Sequence, residues 1–201
     1  MDNLKDMYKP IKNDIDNLSF EYKYKLMKKF KDIIFIILVE EIDNINDYTL
    51  CEQGSQIQEY INKYIDDEDM KNDLLNDHLY TKIYDKLYDI IKNTKDINIK
   101  NDDIEQILGA MYNLQEESIS LRQYIFNTCI ILPQNIQSQL LNELMTSIYN
   151  IIFDIVSKIN IDYIIKYIKH IIHYINNSIL SDELKEQLIV NIFNVYGFEY
   201  T

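Results

Sequence analysis

Five aspartates between positions 66 and 77 come nearest, by residue type and spacing, to catalytic chemistry. Asp69, Asp73 and Asp77 recur at i, i+4 and i+8, beside Asp66 and Asp67. On a regular helix that spacing stacks the three along one face. Such a face could hold Mg²⁺ against a diphosphate, so a metal-dependent enzyme using the Asp66–Asp77 carboxylates is one reading. A platform of that kind works with a second carboxylate motif facing the first, and the sequence has no comparable cluster. The favoured reading is a solvated helix start with Asp66 as its N-cap, where negative charge complements the helix dipole.

The remaining reactive side chains are sparser. His170 and His173 stand close enough on one helix to share a metal ion, but zinc needs a third ligand and a carboxylate behind each imidazole. Their neighbours are Lys166, Lys169 and Asn177, two of which repel a cation. Asp96–Ile107 resembles a calcium loop, yet Asn101 stands where glycine is needed and Ile107 where the closing glutamate belongs. Cys51 and Cys129 lie among apolar residues in no CxxC motif, and are expected as buried free thiols in a reducing compartment. There is no phosphate-binding glycine loop and no nucleophile elbow. The expectation is no catalytic residue, no bound metal and no cofactor.

Two surfaces are candidates for binding. Lys5, Lys9, Lys12, Lys23, Lys25, Lys28, Lys29 and Lys31 place eight of 20 basic residues before position 32, in a chain of net charge −13. Lys25, Lys28 and Lys29 share a helical face opposite the apolar one. Solvation is the default for such a face, with an acidic partner or an anionic lipid surface as the functional reading. Nucleic acid is not expected, because the chain's field repels phosphates, and the cluster lacks Arg and well-placed aromatics. The second candidate is the stripe Tyr163, Tyr167, His170 and Tyr174 at 4-3-4 spacing. Tyrosines there cap a core or line a protein-binding groove, since the ring buries well while the hydroxyl stays wet.

The elements that must position these residues are helical. Among 201 residues there are three Gly and two Pro, too few for the turns of a β-sandwich or a doubly wound α/β fold. The 47% hydrophobic content is too high for a disordered chain. Asn135–Asn177 dominates: Ile136, Leu140, Leu141, Leu144, Ile148, Ile151, Ile152, Ile155 and Ile159 lie on one helical side. Ile161, Ile164, Ile165, Ile168, Ile171, Ile172 and Ile175 follow on another, with the junction at Lys158–Asn160. Ile148, Ile152, Ile155, Ile164, Ile168 and Ile172 are expected deep in the core.

Ile33–Val39 is apolar on every side and reads as a centrally buried helix, preceded by Leu26, Met27 and Phe30 and capped by Ser19. Asn44–Gly54 reads as a loop, with Ser55 and Gln58 opening a short helix. A helix then runs to about Asn93, and Lys92–Asn101 is a polar connection. Asp102 with Glu105 and Asn113 with Glu116 are capping pairs, the second starting or restarting a helix. Pro133 suits the first turn of the next helix, Ser181 caps the last, and Gly197 stops it. The sum is an all-α fold, a single globular bundle of about seven or eight helices over 18–201 after a polar N-terminal segment 1–17.

No secretory segment is read at Met1–Lys12, and no apolar run is long enough for a transmembrane helix, so the expected location is cytoplasmic or nuclear. An acidic helical bundle with a buried central helix resembles viral Bcl-2-like regulators in architecture. The family's Asn-Trp-Gly-Arg signature is absent, no Trp occurs, and Leu108-Gly109 is too short a match. The expectation is a non-enzymatic protein that binds another protein through an exposed helical face or groove. The Bcl-2-like regulator and the carboxylate enzyme stand as alternatives.

Overall fold

The computed structural model describes residues 19–93 and 104–198. The expected N-terminal segment 1–17, the connection after Asn93 and the Asp102 cap lie outside them. Among the described residues there are seven helices and no strand. They are α1 (Phe20–Asp43), α2 (Leu50–Tyr64), α3, α4 (Ile104–Cys129), α5 (Gln134–Ser157), α6 (Ile161–Asn176) and α7 (Asp182–Tyr196). Helix α3 is built of three consecutive pieces, Glu68–Asn72, a π-helical stretch Asp73–Tyr80, and Thr81–Asn93.

Helix α5 is the centre of the bundle and packs against α3, α4 and α7. Its Leu140, Leu144, Ile148, Ile152 and Val156 are all at 1% exposure or less. One apolar cluster joins residues from all seven helices. The α5–α6 junction falls where the sequence places it. Ser157 ends α5, Lys158 caps it, and the Asn160 side chain accepts from Asp162 N at 3.0 Å to open α6. The Tyr196 hydroxyl lies 2.6 Å from the Val156 carbonyl and 2.7 Å from that of Ile159, tying α7 to this corner.

The C-terminal end is equally local in origin. The Ser181 hydroxyl accepts from Leu184 N at 3.3 Å. Gly197 adopts φ +70°, and Phe198 N donates to the Phe193 carbonyl at 2.9 Å. The Phe198 and Phe193 rings meet edge to face at 5.9 Å, completing a Schellman closure.

Several expectations need correction. Helix α1 is peripheral, not central. It rests on α2 and the π stretch of α3, with only Leu38 and Ile42 buried, while Ile33 is 50% and Ile36 55% exposed. Helix α5 already fills the centre, and a helix at the rim covers one side only.

Helix α2 begins at Leu50, so Gly54 is a helical residue and not a loop residue. Gln58 does not close a capping box; its amide donates to the Tyr80 hydroxyl at 2.8 Å and the Ile131 carbonyl at 2.9 Å. Helix α4 passes Asn113 without a break, because Ile107, Met111, Leu114, Ser118 and Ile125 keep one buried face throughout. The N-cap of α3 is Asp67, one residue beyond Asp66. Finally, α6 is rotated about its axis: Ile164, Ile171, Tyr174 and Ile175 are buried, Ile168 and Ile172 half-buried, and Ile161 and Ile165 exposed.

Candidate functional site

The acidic group does not form a platform. Asp67 is occupied structurally: its carboxylate accepts from Lys31 Nζ at 2.5 Å and Met70 N at 3.1 Å. The hydrogen bond from Lys31, then that from Met70, holds this carboxyl below the usual carboxylate range. Asp66, Asp69, Asp73 and Asp77 face solvent. The π turns beginning at Asp73 are wider than α turns, so Asp73 and Asp77 leave the straight line that i, i+4, i+8 spacing describes. Among the described residues no three His, Cys, Asp or Glu side chains are placed to hold a metal ion.

His170 and His173 are both exposed. His170 lies beside the Tyr167 ring at 6.1 Å between centroids, and the His173 Nε2 is 3.1 Å from the Asn177 amide. The predicted stripe is divided by the rotation of α6. Tyr163 is exposed and Tyr167 half-buried, but Tyr174 is 4% exposed and belongs to the core. Burial pushes the Tyr174 hydroxyl pKa well above its ordinary value. Its ring meets Tyr112 of α4 edge to face at 6.1 Å, so it joins α6 to α4 and does not face solvent with Tyr163.

Lys25, Lys28 and Lys29 are exposed on the first half of α1. Lys25 pairs with Glu21 at 2.7 Å along the helix, a solvated pair of small energetic weight. Among the described residues Lys28 and Lys29 have no ion-pair partner. The face is not purely polar, because Ile33 and Ile36 follow Lys29 at i+4 and i+7 on the same outer side.

One feature escaped the sequence reading. Helix α4 carries a second apolar line away from the core, made of Tyr112 (57% exposed), Ile119 (51%) and Phe126 (58%), continued by Ile130 (72%) just beyond its end. Their steps of seven, seven and four residues keep them aligned for roughly 27 Å at 1.5 Å per residue. The heptad spacing was visible, but the neighbouring residues Ile107, Met111, Leu114 and Ile125 carry a stronger core signal that conceals it. Glu105, at i−7 from Tyr112, extends the line, with Glu116 on one flank and Arg122, between Ile119 and Phe126, on the other.

Both cysteines are free thiols, as expected, although Cys51 is only half-buried. Cys51 Sγ lies 3.3 Å from the Asn127 carbonyl. Burial pushes the Cys129 thiol up to about 11. Under a short alkylation of the folded protein, Cys51 is expected to react well before Cys129, as read by peptide mass. After unfolding without reductant both should be labelled, whereas a chain with neither labelled would contain a disulfide.

These features define an all-α helical bundle with apolar residues facing outward on α1 and α4. No family model, curated protein or solved structure matches the chain. No described helix is long and apolar enough to cross a membrane.

Proposed function

We propose that this protein is a non-enzymatic interaction protein that holds an amphipathic helix of another protein along the outer line of α4. The exposed alignment of Tyr112, Ile119, Phe126 and Ile130 carries the reading. Apolar residues at heptad spacing on a solvated helix offer the knobs and holes that a partner helix fills, and burying them removes apolar surface from water. The net charge of −13, with Glu105 and Glu116 near the line against the single Arg122, favours a partner helix whose flanks are basic. Tyr112 meets Tyr174 edge to face, so the strip begins where α6 packs on α4. The free state of Cys51 and Cys129 supports a reducing compartment, cytoplasmic or nuclear.

Selection of helical peptides from a display library against the full chain tests this. The enriched peptides should be amphipathic with Lys or Arg flanks. Phe126→Asp and Ile119→Asp should weaken their binding at least tenfold, about 1.4 kcal/mol. Both positions are more than half exposed, so folding should be unaffected. Replacing Lys25, Lys28 and Lys29 by Gln should leave peptide binding unchanged. Binders insensitive to Phe126→Asp but lost with the triple Gln variant, or with Tyr163→Ala and His170→Ala, would overturn the assignment.

A further inference from the structure

The outer side of α1 reads as a charge-and-apolar sequence that is complementary to itself in reverse. Opposite the buried Leu38 and Ile42, the helix presents Lys25, Lys29, Ile33, Ile36, Glu40 and Asp43 in that order. Successive members are three or four residues apart, so all six lie along one side of the 24-residue helix. The first third is basic, the middle apolar, and the last third acidic. Among the described residues neither Lys29 nor Glu40 takes part in an ion pair. Asp43 has a loose one with Lys82 at 3.6 Å, leaving its side chain 67% exposed.

We propose that two copies of this chain pair through α1 in antiparallel fashion about a two-fold axis passing between Ile33 and Ile36. In that register Ile33 of one protomer meets Ile36 of its partner, and Lys29 meets Glu40. Lys25 falls next to Asp43. Each contact occurs twice, as an isologous interface requires. A parallel arrangement would set Lys29 against Lys29 and Glu40 against Glu40, so charge alone selects the antiparallel one. A membrane surface fits less well: Glu40 and Asp43 share the face with the lysines, and an anionic headgroup layer repels them. A single pair of crossing helices is a small interface, so the dimer should be concentration-dependent and not obligate. This surface lies on a different helix from the α4 strip, and the two readings fail separately.

Sedimentation equilibrium of the full chain, from micromolar to near-millimolar concentration, tests the pairing. The wild-type chain should pass from monomer to dimer. Ile36→Asp should hold it monomeric over the same range, with an unchanged thermal transition because Ile36 is a half-exposed rim residue. Lys29→Glu and Glu40→Lys should each weaken association about tenfold, since each places like charges together twice. The double variant Lys29→Glu/Glu40→Lys should recover to within about threefold of wild type, as a shared pair demands. Phe126→Asp should leave dimerisation intact. A chain monomeric throughout would overturn the proposal, and if it also sedimented with phosphatidylserine vesicles, the face would belong to a lipid surface. A dimer indifferent to Ile36→Asp, or a double charge swap no better than either single swap, would overturn it as well.

Discussion

Ile152→Asp is expected to destabilise the fold by about 4 kcal/mol or more, enough to leave much of the protein unfolded near neutral pH. Ile152 is 0% exposed in α5, the helix that packs against α3, α4 and α7. A carboxylate there loses its hydration and finds no cation, since the cluster around it is apolar. Burial raises the folded-state pKa of the introduced carboxyl above its unfolded value of about 3.9. The deficit is therefore complete above that raised pKa and shrinks as pH falls toward the unfolded value. Urea unfolding at several pH values reads both effects. Ile165→Asp, at a site 60% exposed on α6, is the control and should change stability by no more than about 0.5 kcal/mol. Equal stability of Ile152→Asp and wild type would mean that α5 is not the centre of the bundle.

Gly54→Val should cost about 2 to 3 kcal/mol, the second-largest effect. Gly54 is in the interior of α2, where a side chain would ordinarily strengthen the helix by about 1 kcal/mol over glycine. The packing opposes it. An added Cβ would lie 2.6 Å from Ile131 Cδ1 and 3.0 Å from Ile83 Cδ1. Those are terminal methyls of flexible side chains, so Gly54→Ala should be close to neutral, the shift of two methyls offsetting the gain in helix propensity. Valine adds two further carbons to the same contact and is stiff at χ1. The ordering glycine, alanine, then valine in urea midpoint tests the contact. If Gly54→Val proved as stable as wild type, Gly54 would be in open space, as a loop glycine would be.

Gly54 shows where sequence reading stops. Glycine before Ser55 and Gln58 resembles a loop followed by a capping box, and nothing within ten residues says otherwise. What decides its role is Ile83 and Ile131, 29 and 77 positions away. The same holds for α6. Its residues mark a helix unmistakably, but Tyr174 and Ile165 are both plausible members of the buried side. Contact with Tyr112 of α4 turns Tyr174 inward and leaves Ile165 outside. That rotation also divided the tyrosine stripe, and the apolar line of α4 became a candidate only once its exposure was known.

The all-α class, the α5–α6 junction at Lys158–Asn160, the Ser181 cap and the Gly197 stop are all legible in the amino-acid sequence. Each depends on interactions among residues within about five positions: 3.6-residue periodicity, a side chain reaching an unpaired backbone N–H, a left-handed glycine. Long-range packing settles that α5 and not the Ile33–Val39 helix occupies the centre. Only in the folded chain do Asp73 and Asp77 part company on a π turn, and Ile33, Ile36, Tyr112, Ile119 and Phe126 face outward. Hydrophobicity says that a side chain gains by leaving water, but not which distant residue covers it. When more apolar helical faces exist than the core can hold, packing chooses among them, and those left over are the surfaces on which this protein's binding is proposed.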